Sequence, residues 1–125
     1  MYGTLLVIDD SSTMRKIVIR TLKMAGVEFE LVVEAADGEA AIQHLREKDF
    51  NLIMCDINMP LMSGLQLLQR IKAEKLAMGI PIIMVTTEGS EPQIKQALLD
   101  GARGYIKKPF GVQNIEHNVK PLLTG

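Results

Sequence analysis

The sequence predicts a single α/β domain, a parallel β-sheet doubly wound by helices, and three observations carry that expectation. Five short apolar runs alternate with amphipathic segments, the pattern of repeated βαβ units. The run Leu52-Ile53-Met54-Cys55 has no polar residue on either face, as a strand covered on both sides requires. A length of 125 residues with 47% hydrophobic content is enough for one sizeable core, so residues 1–125 are read as one domain.

Taken in order, the first strand is Leu5 to Ile8. Asp9, Asp10, Ser11 and Ser12 then offer an N-cap to a helix that turns Met14, Ile17, Val18, Thr21, Leu22 and Ala25 inward and ends at Gly26. Its other face carries Arg15, Lys16, Arg20 and Lys23, read as a solvated basic stripe. The second strand, Leu31-Val32-Val33, leads to Asp37, which can cap a helix burying Ala41, Ile42 and Leu45. The third strand is Leu52 to Asp56. Pro60 and Gly64 then bracket a turn before a helix with Leu65, Leu67, Leu68 and Ile71 on its apolar face.

Pro81 opens the fourth strand, Ile82 to Val85, a position where a missing N–H is tolerated. The fourth helix carries Ile94, Ala97 and Leu98, and Gly101 is its left-handed terminator. Tyr105-Ile106-Lys107 is a short fifth strand. The last helix turns Val112, Ile115 and Val119 inward and is expected to be cut short by Pro121, whose ring clashes with the preceding turn.

Composition narrows the function. Lys and Arg number 14 against 15 Asp and Glu, a net charge of -1, so nothing draws the chain as a whole to nucleic acid or an anionic membrane. The longest uncharged run, Leu76 to Thr87, is about half of the roughly 20 residues a spanning helix needs, and no secretory signal is present. One cysteine, Cys55, read as buried and inert, fits a reducing compartment, so the expected location is cytoplasmic. His44 and His117 read as ordinary surface histidines, since neither has a partner at zinc-ligand spacing. With no Walker loop and no G-x-G-x-x-G turn, nucleotide binding has no support.

The chemistry collects at the strand ends. In a parallel sheet all carboxyl ends share one edge, so Asp9, Asp10, Asp56, Thr86 and Lys108 crowd a single rim. Acids at a helix N-terminus are common, but that accounts for one carboxylate and not three. Three close carboxylates repel unless a cation intervenes, and an all-oxygen set suits Mg²⁺. Lys108 and Thr86 are donors for phosphoryl oxygens, and Asp56, alone at the centre of the sheet, is the best candidate for a nucleophile that accepts a phosphoryl group.

Four stretches, Leu6-Val7-Ile8-Asp9-Asp10-Ser11-Ser12-Thr13-Met14-Arg15, Asp56-Ile57-Asn58-Met59-Pro60 with Gly64, Val85-Thr86-Thr87-Glu88 and Tyr105-Ile106-Lys107-Lys108-Pro109-Phe110, together resemble the receiver domain of two-component response regulators. Among receivers the chain most resembles stand-alone CheY-like chemotaxis regulators. The resemblance, and not the pattern of runs, implies a flavodoxin-like (βα)5 fold with strand order 2-1-3-4-5. It implies phosphorylation of Asp56 by a histidine kinase, a phosphotransfer protein or a small phosphodonor. It further implies Mg²⁺ held by Asp9, Asp10, Asp56 and the backbone carbonyl of Asn58, with Lys108 and Thr86 binding the phosphoryl group.

Tyr105 would change rotamer as Thr86 moves, altering the surface of the fourth helix, fifth strand and fifth helix that regulates a protein partner. Asn58 and Glu88 fall where receivers tune hydrolysis of the aspartyl phosphate, and a cis bond is implied before Pro109. Glu91, Pro92, Lys107 and Pro121 depart from the chemotaxis pattern on the expected output face, leaving the partner open. Two other readings compete. One is a Mg²⁺-dependent phosphohydrolase of the haloacid dehalogenase type, which resembles D-x-D-x-T at the first strand rather than an acid after the third. The other is a receiver-like interaction module that is not phosphorylated, in which Asp10, Asp56, Thr86 or Lys108 would be free to vary.

Overall fold

The computed structural model describes residues 1–87 and 90–124. Its elements alternate as the runs predict: β1 (Tyr2–Ile8), α1 (Ser12–Met24), β2 (Phe29–Ala35), α2 (Gly38–Glu47), β3 (Leu52–Asp56), α3 (Gly64–Ala73), β4 (Ile82–Thr86), α4 (Glu91–Leu99), β5 (Gly104–Lys107), α5 (Val112–Asn118) and α6 (Lys120–Thr124). The five strands form one parallel sheet in the order β2-β1-β3-β4-β5. Central β3 and β4 are buried along their whole length.

Side chains alternate across the sheet, and each face has its own core. Leu6, Ile8, Ile53, Cys55 and Met84 pack with α2, α3 and Ala97 of α4. On the other face Leu5, Val7, Leu52, Met54, Val85 and Ile106 pack with α1 and α5. This parity has a consequence at the strand ends. Leu5 pairs with Leu52 and Val7 with Met54, and one further step along the register sets Asp9 opposite Asp56 on the α1–α5 face.

The helix ends follow local chemistry. Ser11 caps α1 by accepting the Met14 N–H, and Asp37 caps α2 by accepting the Ala40 N–H. Ser63 and Gln66 cap α3 reciprocally, each side chain accepting the other's backbone N–H. Gly26 and Gly101 take the left-handed conformation, with φ of 80° and 111°.

Four expectations need correction. Strands β1 and β2 are longer than their apolar runs, because Tyr2 packs at a tilt against Phe29 and donates its N–H to the Glu28 carbonyl, extending the pair toward the sheet's amino end. Ile17 and Leu98 are exposed rather than inward; the buried stripe of α1 is only Val18, Thr21 and Leu22, and that of α4 only Ala97. His44 is half-buried, whereas His117 is exposed. Helix α5 ends at Asn118, before Pro121, and Pro121 lies in the first turn of the separate α6, where the N–H that proline lacks would have no intrahelical partner. Among the described residues no helix is long and apolar enough to cross a membrane.

Candidate functional site

Asp56 closes β3 with 5% of its surface exposed, and Asp9, which follows β1, is slightly more buried at 3%. Asp10 is exposed beside them. The carboxylates of Asp9, Asp10 and Asp56 each place an oxygen so that all three lie within 4.8 Å of one another. Lys108 reaches them from beyond β5: its backbone N–H bonds the Thr86 carbonyl at 2.6 Å, and a cis peptide joins it to Pro109. The ammonium then bridges Asp9 Oδ2 at 3.3 Å and Asp56 Oδ1 at 3.4 Å.

The two buried acids are held differently. Asp9 donates its N–H to the Ala35 carbonyl, its Oδ1 accepts the Ser11 N–H at 2.9 Å, and its Oδ2 faces Lys108. Asp56 is held loosely. The Lys108 and Asn58 N–H groups both reach its Oδ1 at 3.4 Å, the long end of the hydrogen-bond range, and no bond to Oδ2 exists among the described residues. Burial, with Asp9 adding its charge, pushes the Asp56 carboxyl above the usual range, and Lys108 and the Asn58 amide offset this only in part. One ammonium therefore does not neutralise the cluster. The unbalanced charge and the all-oxygen donor set both fit a small hard divalent cation such as Mg²⁺.

Around these four the structure places the other expected residues. Thr86, fully buried, ends β4 one residue beyond the Val85 that pairs with Asp56. Tyr105 pairs with Met84 on β5, on the same face of the sheet as Thr86, and its ring is partly exposed. It lines a hollow of about 570 Å³ with Glu91, Pro92, Ile94, Lys95 and Leu98. Asn58 is exposed just past Asp56. Glu88 lies outside the described residues. Cys55 is buried as expected, and loss of water pushes its thiol well above the ordinary value.

Two residues to which the sequence assigned no role at the site belong to this neighbourhood. Gly64 packs so close that a Cβ there would collide with the Asp56 carbonyl oxygen and stand 2.8 Å from the Ile57 Cα. Arg15, placed by periodicity on a solvated stripe, is folded inward instead: its Nη1 donates to the Asp9 carbonyl at 2.7 Å and its Nε to Glu34 at 2.9 Å. The only available signal was a pattern of opposite charge, Glu34 closing a strand beside a helix that begins Met14-Arg15-Lys16.

The sequence profile described as "Response regulator receiver domain" matches residues 5–120. The chain belongs to the response regulator receiver family. This receiver is 42% identical over 120 residues to a "Chemotaxis protein CheY homolog" of Campylobacter jejuni, covering 95% of this chain and 91% of that protein. It is also 42% identical to "Chemotaxis protein CheY1" of Helicobacter pylori strain J99, covering 95% of each. Among solved structures, Vibrio cholerae chemotaxis protein CheY4 aligns with a TM-score of 0.83 at 32% identity, over 98% of this receiver and 100% of that chain. A putative response regulator from Chloroflexus aurantiacus aligns over the whole of both chains with a TM-score of 0.86 at 31% identity. The parallel order 2-1-3-4-5 of the receiver is the fold implied by its sequence resemblance.

Proposed function

We propose that this receiver, read as one domain over residues 1–125, is a phosphorylation-driven switch of a two-component phosphorelay whose phosphoacceptor is Asp56. The observation that carries the reading is the buried Asp56 carboxylate, bridged to Asp9 by Lys108 and, among the described residues, loosely tied through Oδ1 alone. A histidine kinase or phosphotransfer protein, or a small acyl phosphate, supplies the phosphoryl group. The acidic cluster supports Mg²⁺ as cofactor, with Asp9, Asp10, Asp56 and the Asn58 carbonyl to hold it. When bound, that ion offsets the charge of the carboxylates and of the incoming phosphoryl oxygens.

The chain's own groups carry the rest. An oxygen of Asp56 attacks phosphorus in line, and the bond from phosphorus to the donor's imidazole nitrogen or acyl oxygen breaks, its electron pair leaving with the donor. The Lys108 ammonium exchanges its Asp56 contact for a phosphoryl oxygen, a charge-assisted bond in a site with little water. The Thr86 hydroxyl donates to a second phosphoryl oxygen. Its movement leaves space on its own face of the sheet for the Tyr105 ring, reshaping the surface of α4, β5 and α5 that a downstream protein reads. Hydrolysis returns the switch to rest, with Asn58 and Glu88 setting water access. In this reading the chain catalyses only its own phosphorylation and dephosphorylation, in the cytoplasm, without direct contact to nucleic acid or insertion into a membrane.

Intact mass after incubation with acetyl phosphate and Mg²⁺ tests the reading. One added phosphoryl group is expected, lost with a chelator and in Asp56→Asn. No adduct, with the partner kinase also tried, would sink it. Steady turnover of a broad panel of phosphate esters would favour the phosphohydrolase alternative instead.

A further inference from the structure

Between the last ladder bond of β1 and the first turn of α1 lies one peptide that neither element holds. The Asp9 N–H is bonded to the Ala35 carbonyl, and Ser11 is already the cap of α1. The Asp9 Oδ1–Ser11 N–H bond closes a turn around the Asp9–Asp10 peptide, and within that turn the tilt of the peptide depends on what its carbonyl bonds. A change of tilt there swings the Asp10 carboxylate, which is exposed.

Arg15 takes that carbonyl. Its Nη1 donates to Asp9 O at 2.7 Å, a short charge-assisted bond, and its Nε donates to Glu34 Oε1 at 2.9 Å. Glu34 is itself held from the other side by Lys16 at 3.0 Å. The Arg15 side chain is 15% exposed where that of Lys16 is 72%, so the guanidinium is a built part of the loop and Lys16 a surface ion pair. A planar fork that reaches a carboxylate and a carbonyl together is specific to arginine.

We infer that Arg15 is a positioning residue of the acidic rim: by fixing the Asp9–Asp10 peptide it keeps the Asp10 carboxylate within reach of Asp9 and Asp56, and Glu34 aims the guanidinium. This rests on the reading of those three acids as the Mg²⁺ site. It also predicts a sign. A guanidinium near a cation site repels a divalent ion, so if charge were its whole effect its removal would tighten binding. If it positions Asp10, removal weakens binding, as loss of a group that orients ligands does.

Calorimetric titration of the full chain with MgCl₂ separates the two. Arg15→Ala is expected to bind Mg²⁺ about tenfold more weakly. Arg15→Lys, which keeps the charge and loses the fork, should be impaired to a similar degree, and Glu34→Ala by a smaller factor. Lys16→Ala should match the normal chain. Circular dichroism and urea midpoints check that each variant is folded, and if Arg15→Ala is not, Arg15→Lys and Glu34→Ala decide. Equal or tighter binding by folded Arg15→Ala, or full affinity in Arg15→Lys, overturns the positioning role alone. A normal chain that takes up no Mg²⁺ overturns the metal reading beneath it.

Discussion

Asp56 is costly in the resting protein. Its carboxyl is held above the usual range by burial and by Asp9, so the folded chain binds that proton more readily than the unfolded one. The contribution of Asp56 to stability is therefore greatest below the ordinary carboxylate pKa and falls as pH rises through the raised value. Asp56→Asn should raise the unfolding midpoint of the metal-free chain at pH 7 by roughly 4 °C, equivalent to about 1 kcal/mol. That gain should fade on acidification as the normal chain takes up its proton. Thermal unfolding with a chelator, run across pH, measures both, and an unchanged or lowered midpoint at pH 7 contradicts the electrostatic account. Asp9, Asp10, Asp56, Thr86 and Lys108 were legible as one rim because a parallel sheet sends all its carboxyl ends to one edge. Arg15 was not, since helical period assigns a face but not where a long side chain folds back.

At the scale of elements, the end of β3 and the start of α3 are fitted to each other through Gly64, whose N–H also bonds the Ile57 carbonyl at 2.8 Å. A methyl group there meets backbone, which cannot swing aside as a side chain would. Gly64→Ala should cost about 2 kcal/mol in urea unfolding and slow phosphoryl uptake by displacing Asp56. Full stability in that variant would show that the contact is relieved cheaply. In sequence Gly64 reads as a turn residue and a member of the receiver motif, but its contact with β3 does not, because close approach between two elements leaves no local pattern. The same limit explains Ile17 and Leu98. Periodicity counted every apolar residue near the inward face, yet α1 and α4 bury narrower stripes, leaving Ile17 half open beside the Pro109–Phe110 turn. Pro121 misled in the other direction: the helix had already ended at Asn118, and the proline begins a new one.

Over the whole molecule, the alternation of runs gave a parallel sheet and its functional edge but no strand order. Order matters because β1 and β3 are neighbours, and only that adjacency sets Asp9 opposite Asp56 and brings Lys108, 52 residues later in the chain, between them. Thr86 and Tyr105 then lie along one face of the sheet, from the buried rim to the partly exposed surface between α4 and β5, the short route that the proposed switch would use. The central claim is that the phosphoryl group enters this rim on Asp56 and nowhere else. Reduction of the phosphorylated chain with borohydride, which converts an aspartyl phosphate to homoserine, followed by peptide mass mapping, tests it most directly. The account predicts homoserine at position 56 alone; homoserine at position 9 or 10, or a phosphorylated chain with no reducible aspartate, would contradict it.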